Sequence, residues 1–225
     1  MEKDLDKEKL LAAKEAVKLI RDGQVVGLGT GSTADHAIKE IGKMVKEGLK
    51  IRGVPTSDKT RSLATSLNIP LIDINSIDSI DITIDGADEF TTGLMLIKGG
   101  GGALLKEKIV ASITKDLIII ADSTKKVALL GKFKLPLEVI PFAMHHVMKQ
   151  VQLINGNGKI RSIADQPFIT EQGNYIIDAD FGLIQDPADL ADRLNKIEGL
   201  VAHGLFIKLA NRVIMGNNDS TVTFT

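Results

Sequence analysis

Between Ile80 and Lys108 the chain gathers the residue types that acid–base chemistry needs. Ile80, Ile82 and Ile84 alternate with Asp81, Thr83 and Asp85, the two-residue period of a strand. The strand runs into Asp85-Gly86-Ala87-Asp88-Glu89 and so delivers two carboxylates, Asp85 and Asp88, at its terminus. Lys98 follows, then four consecutive glycines, Gly99 to Gly102. Glycine loses more conformational entropy on folding than any other residue, so four in a row do not serve packing. They fit a place where backbone approaches a ligand closely. Leu104, Leu105, Ile109 and Val110 then give a helical apolar face, with Glu107 on another side. Two strand-end carboxylates, a lysine, a glycine cradle and a helix-borne glutamate form one chemical kit.

A second motif stands upstream. Gly29-Thr30-Gly31-Ser32-Thr33 lies between an apolar run, Val25 to Leu28, and a helical pattern. Free N–H groups at a helix start, together with hydroxyls, suit a phosphate or another anionic oxygen. A dinucleotide fingerprint would need glycine at position 32, where Ser32 stands, and no Gly-Lys-Ser/Thr follows to make a P-loop. Each motif also has an ordinary reading. The upstream loop can be a tight turn with capping hydroxyls. Asp85 and Asp88 can be turn formers, Lys98 a solvated loop lysine, and Glu107 a surface residue paired with Lys106 or Lys108. A magnesium site is a further option for Asp85, Asp88 and Glu89, although their spacing is not that of a calcium loop. His36, His145, His146 and His203 show no metal-ligand spacing.

The elements that hold these residues follow from periodicity. A helix is expected over residues 7–22, closed by Gly23, then a strand at Val25–Leu28 and a helix at Ala34–Lys46. Further strands are expected at Ile51–Thr56, Pro70–Ile74, Ile80–Asp85 and Leu117–Ala121, and an extended segment at Leu94–Ile97. Helices are expected at Lys59–Leu67 and Ala103–Thr114. Strands alternating with helices imply an α/β fold, a Rossmann-like parallel sheet with helices on both faces. The pattern changes near Gly131. A strand at Leu137–Phe142, a helix at Ala143–Leu153, an extended run at Lys159–Thr170 broken at Pro167, and a hairpin at Glu171-Gln172-Gly173-Asn174 follow. Then come a strand at Tyr175–Asp180, a helix at Pro187–Ile197 and an extended run at Gly199–Phe206. The order β-α-β-β-α-β is that of a smaller, ferredoxin-like α+β domain over 131–204. Residues 1–130 with 205–225 would make the catalytic domain, to which Leu205–Leu209 and Arg212–Met215 return.

Composition bounds the function classes. The 225 residues are 44% hydrophobic and 25% charged, with a net charge of −1, so no nucleic-acid or membrane partner is indicated. Cysteine is absent, which excludes disulfides, thiol nucleophiles and cysteine-ligated zinc. The charged stretch Met1 to Lys9 has no apolar signal core, and the expected compartment is the cytoplasm. With no Trp and one Tyr, base-stacking platforms are not supported.

Taken together, the motifs resemble the A-type ribose-5-phosphate isomerase family. Gly29-Thr30-Gly31-Ser32-Thr33, Asp85-Gly86-Ala87-Asp88-Glu89, Lys98 to Leu104 and Glu107-Lys108-Ile109 occur in the family's order. The resemblance continues through Ala121 to Lys125, Gly131-Lys132-Phe133, Leu137 to Pro141 and Gly173-Asn174. Two departures stand out: Gly102, often alanine in relatives, and the tail Asn217 to Val222, which lacks the family's usual Asp-Gly-Val run. The resemblance implies interconversion of ribose 5-phosphate and ribulose 5-phosphate in the non-oxidative pentose phosphate pathway, through an enediolate and without metal or cofactor. It implies substrate binding by Thr30, Gly31, Ser32, Thr33, Asp85, Gly86, Ala87, Asp88, Lys98, Gly99, Gly100 and Gly101, with Lys125 as a further contact and Lys9 toward the phosphate. Glu107 would be the proton-transferring base, Asp85 would open the sugar ring, and Lys98 would stabilise the enediolate. A homodimer is implied, with a tetramer through the small domain as the alternative. Two competing readings remain: a coenzyme A transferase with Glu107 as acyl acceptor, and a sugar-phosphate sensor. The sensor reading lacks a basic DNA-binding segment.

Overall fold

Apolar runs of four to eight residues, too short for helices and rich in Val and Ile, make the centre of the molecule. The computed structural model describes residues 4–225; Met1 to Lys3, the head of the charged N-terminal stretch, lie outside the described residues. Helix α1 (Leu5–Val17) is capped by Asp4, whose carboxylate accepts the Lys7 N–H at 3.0 Å. It ends at Val17, earlier than the periodicity predicts, because residues 18–20 close it with a turn in place of helix. Strand β1 (Val25–Leu28), helix α2 (Ser32–Lys46), strand β2 (Arg52–Pro55) and helix α3 (Asp58–Ser66) follow. Then come β3 (Ile80–Gly86), the short β4 (Glu89–Phe90) and β5 (Leu96–Ile97), helix α4 (Leu104–Ser112) and β6 (Thr114–Ala121).

The expected strand at Pro70–Ile74 does not form. Only Leu71 bridges to Gly53, and Asp73 then caps a single 3-10 turn at Ile74–Ser76. Its isoleucines nonetheless pack: Ile72 and Ile74 lie against Val25, Val54, Ile80 and Val110.

The second half begins with β7 (Leu135–Val139) and helix α5 (Met144–Leu153). The expected extended run is in fact β8 (Asn157–Ile160) and a tight hairpin of β9 (Ser162–Ile163) and β10 (Gln166–Pro167). Ala164 and Asp165, both with positive φ, make its turn, so the break falls ahead of Pro167. Strand β11 (Tyr175–Asp180), helix α6 (Pro187–Leu194) and β12 (Leu200–His203) complete this half. The chain returns through β13 (Leu205–Phe206), β14 (Arg212–Asn217) and β15 (Ser220–Phe224), the last unexpected from its polar sequence.

The main sheet has six strands in the order β15-β14-β6-β3-β1-β2, parallel except for β15. Helices α1 and α2 cover one face through Ala12, Ala16, Ile38 and Ile41 against Val26, Leu28, Ile82, Ile84, Ile118 and Ile120. Helix α4 and a three-stranded sheet, β13-β5-β4, cover the other. Leu205–Phe206 therefore pairs with β5 in that small sheet, whereas Arg212–Asn217 enters the main one. A separate antiparallel sheet runs β12-β7-β11-β8, with α5 and α6 packed on it through Val147, Val151, Leu190 and Leu194. Its order is that of the ferredoxin-like split unit. Among the described residues, no helix is long and apolar enough to cross a membrane.

The order of the main sheet locates the site. From β1 the chain steps outward to β2 and then returns to place β3 on the other side of β1. Such a reversal opens a crevice beyond the carboxyl ends of the two strands, where loops from both can meet a ligand. The loops there carry Gly29 to Thr33 and Asp85 to Asp88.

Candidate active site

Close approach of β1 and β3 sets the first part of the site. A Cβ on Gly29 would lie 2.2 Å from Asp85 Oδ1, so only glycine lets the Asp85 carboxylate tuck beneath the loop. Oδ1 there accepts the N–H groups of Thr30 at 3.1 Å and Gly86 at 2.7 Å. Oδ2 pairs with Lys98 Nζ at 3.0 Å. Asp85 is thus buried behind Lys98 with both oxygens engaged, while Lys98 itself lines the cleft. The ammonium also donates to the Gly86 carbonyl at 2.5 Å and stands 3.4 Å from Glu107 Oε1.

Glu107 comes from the first turn of α4, directly after the glycine run. It is buried, yet Oε2 has no hydrogen-bond partner. Burial, reinforced by the charges of Asp85 and Asp88 and opposed by Lys98, raises its pKa to about 8. Burial lowers the pKa of Lys98, but the neighbouring Asp85 and Glu107 outweigh it and hold the ammonium above the ordinary lysine range. Three acidic groups around one lysine leave one carboxyl short of a counter-charge, and Glu107 is that group.

The remaining cradle is built on Asp88. Its Oδ2 accepts the Gly100 N–H at 2.7 Å, and a Cβ at Gly100 would meet Oδ1 at 2.5 Å. Across the cleft, α2 starts at Ser32 with Gly31 as its N-cap residue and no side chain capping the first turn. Its opening N–H groups are left for an anion. Lys9, from α1, donates to Ser32 Oγ at 3.1 Å, and Lys125 ends the 3-10 turn Ser123–Lys125 that Asp122 caps. These residues surround a cleft of about 240 Å³ that is lined by Lys9, Gly31, Ser32, Asp88, Lys98 and Glu107 among others.

The structure therefore brings together Lys9, the 30–33 loop, Gly86 to Asp88, Lys98 to Gly101, Glu107 and Lys125. It also reassigns three side chains. The Thr30 hydroxyl turns inward to a cluster with Thr56 (2.8 Å), Ser57 (2.9 Å) and Thr60 (3.2 Å), so Thr30 offers the cleft no free hydroxyl. Asp85 underlies the cleft instead of lining it. Glu89 leaves it altogether: its carboxylate accepts the N–H groups of Gly131 at 2.8 Å and Phe133 at 2.7 Å, so it cannot join Asp85 and Asp88 on a magnesium ion. Two residues near the site escaped the sequence reading. Buried Glu8 accepts the Ser123 and Asn218 N–H groups, both at 2.8 Å, and so fixes α1, with Lys9 on it, against the 123–125 turn and the tail. Arg161 reaches the glycine run from β8's end of the antiparallel sheet.

Residues 52–220 match the family model for ribose 5-phosphate isomerase A (phosphoriboisomerase A). The chain belongs to the ribose-5-phosphate isomerase A family. It is 49% identical to ribose-5-phosphate isomerase A of Bacillus mycoides (strain KBAB4) over 212 residues, 94% of this chain and 96% of that one. A D-ribose-5-phosphate isomerase solved in complex with phospho-erythronic acid superposes with a TM-score of 0.94 at 39% identity, covering 98% of each chain. Ribose 5-phosphate isomerase A from Methanocaldococcus jannaschii gives 0.91 at 42% identity and 96% of each chain. Family members and this chain thus share the two-sheet α/β architecture from end to end.

Proposed function

We propose that this cleft interconverts ribose 5-phosphate and ribulose 5-phosphate, a step of the non-oxidative pentose phosphate pathway. The observation that carries the reading is Glu107: a buried carboxyl with one oxygen free, facing the same cleft as an ammonium and an uncapped helix start. The phosphate falls to the first turn of α2, with Gly31, Ser32 and Thr33, and to Lys9 and Lys125. The sugar then extends over Gly86, Ala87 and Asp88 toward Lys98 and Gly99 to Gly101.

Ring opening breaks the bond between C1 and the ring oxygen and moves a proton from the C1 hydroxyl to the ring oxygen. We assign it to the Asp85–Lys98 pair, which meets the substrate through Nζ, with Asp88 orienting hydroxyls. A proton must next leave C2 and arrive at C1. One carboxylate over both carbons serves as base and then acid, and Glu107 has the free oxygen to do so. The charge that develops on the enediolate oxygen is stabilised by Lys98 and cradle N–H groups, where electrostatic catalysis acts most strongly. No redox change occurs and the lysine supplies the positive charge, so the step requires neither nicotinamide nor metal. Glu107 is a base here and not an acyl acceptor.

The same reading divides the chain into a catalytic unit, 1–130 with 205–225, and a smaller unit, 131–204, that covers the glycine cradle and joins copies into a homodimer. Phe142 on the smaller unit is 99% exposed, with Ile140 exposed beside it, which supports self-association there. Appearance of ketose from ribose 5-phosphate, followed optically, tests the activity. Tight binding of the sugar phosphate with no turnover would overturn it in favour of a sensor. Sedimentation would test the dimer.

A further inference from the structure

The glycine cradle is held from outside by a residue that touches no part of the cleft's catalytic group. Arg161 Nη1 donates to the carbonyls of Gly99 at 3.0 Å and Gly100 at 3.1 Å. The other side of the guanidinium is gripped by Asp178 on β11, with Nε to Oδ2 at 2.9 Å and Nη2 to Oδ1 at 2.5 Å. A bidentate pair of this kind fixes the guanidinium plane as well as its position. The Phe168 ring lies 5.9 Å from the guanidinium carbon. That same ring occupies the space beside Gly102, where a Cβ would meet it at 2.6 Å and where φ is +81°. Arg161, Asp178 and Phe168 all belong to the antiparallel-sheet half of the chain, and together they hold Gly99, Gly100 and Gly102 of the cradle.

The carbonyl of Gly99 shares its peptide plane with the Gly100 N–H, and that of Gly100 with the Gly101 N–H. Pulling both carbonyls outward turns both N–H groups inward. The Gly100 N–H is taken by Asp88 at 2.7 Å. Among the described residues no acceptor takes the Gly101 N–H, and Gly101 lines the cleft. A cation on a peptide carbonyl also polarises that amide, so the N–H opposite it becomes a stronger donor. We infer that Arg161 is a positioning residue for the isomerisation: it aims and polarises the Gly100 and Gly101 amides, which in turn fix Asp88 and offer a donor to the substrate oxygen that gains charge.

This inference rests on the isomerase reading, and its test has one arm that does not. Arg161→Met keeps the stem and removes the guanidinium. With ribose 5-phosphate, kcat should fall about 10²-fold, the scale of a misplaced catalytic group, with KM moving far less. Amide exchange at Gly100 should accelerate selectively while the main sheet keeps its protection. Asp178→Asn, which loosens the grip without removing the cation, should change both readouts in the same direction by less. Unchanged kcat and unchanged Gly100 exchange in Arg161→Met would overturn the assignment. So would a fall in kcat that only tracks a fall in Tm across the two variants. If the wild-type protein does not turn over ribose 5-phosphate, the isomerase reading fails, and Gly100 exchange still decides whether Arg161 orders the cradle.

Discussion

In the proposed mechanism the chemistry turns on Glu107, and its environment makes three measurable consequences. Replacing it with Gln keeps size and polarity but removes basicity, so kcat should fall by about 10²–10⁴-fold while KM changes little. Its pKa of about 8 means that the basic form grows in as pH rises. The kcat/KM profile of the wild type should therefore show an acid limb with its midpoint near pH 8, and on the alkaline side Lys98, held above the ordinary lysine range, stays charged. The same shift has a cost in stability. In the unfolded chain the group titrates near 4.5, and in the folded chain near 8, so the fold binds the proton more tightly. That contribution is complete below the lower value and is lost as pH rises through the upper one. Melting temperatures of wild type and Glu107→Gln, compared at about pH 5 and about pH 9, should move against the wild type at the higher pH. In the same proposal Lys98 and Ser32 divide the remaining work. Ser32→Ala removes a ground-state contact near Lys9 and should chiefly raise KM; Lys98→Ala removes the charge opposite the enediolate and should chiefly lower kcat. If both variants changed KM alone, Lys98 would be a binding residue only.

At the scale of elements, what could be read from the sequence was what repeats locally. The isoleucine alternation at Ile80 to Ile84, the apolar block before Ala121 and the Pro187 helix start each carry their signal within a few residues, and strands β3, β6 and helix α6 appear there. Pro70–Ile74 has the same composition but no neighbour beyond Leu71 to pair with, and so it packs without a ladder. Strand β15 reads as polar because it is an edge, and its pairing to β14 comes from the turn after Asn217. The acidic and basic side chains of the site were legible because acid–base chemistry restricts residue type. The backbone roles of Arg161 and Glu89 were not, because each acts on groups about 40 to 60 positions away, and the approach exists only in the fold. Glycine can be sorted on the same grounds. Gly29→Ala would push a methyl into Asp85, an overpacking that costs about 1–3 kcal/mol. For a chain of this size that lowers Tm by roughly 2–4 °C per kcal/mol, and activity should fall with the displaced Asp85–Lys98 pair. Gly101→Ala meets nothing closer than Thr30 Cγ2 at 3.9 Å, so its Tm should stay near wild type. Equal losses of Tm in the two variants would show that the close approach of Asp85 is not what sets the cost at Gly29.

At the scale of the molecule, the site sits where two sheets of different topology are joined, and the joint is made of polar contacts. Lys98 donates its N–H to the Gly204 carbonyl at 2.9 Å, and Gly204 donates to Pro136 at 2.7 Å, so the lysine's own backbone is stitched to β7. Glu171, on the turn before β11, accepts the Asp58 N–H at 2.7 Å and pairs with Lys106 at 2.5 Å, but this pair is a third exposed and worth little. Glu89 is the buried tie. It is 4% exposed and holds the Gly131 and Phe133 N–H groups just where the chain passes from the parallel sheet to the antiparallel one. Glu89→Ala would leave two buried donors without an acceptor, at about 1–3 kcal/mol each. Thermal unfolding should begin roughly 4 °C or more lower and should broaden, as the antiparallel sheet loosens before the parallel one. Because the carboxylate is spent on backbone, added magnesium should restore neither stability nor activity, and exhaustive chelation should leave wild-type turnover unchanged. Loss of wild-type turnover on chelation, restored by magnesium, would instead put Glu89 on a metal beside Asp85 and Asp88, and the lysine would lose its place as the source of positive charge.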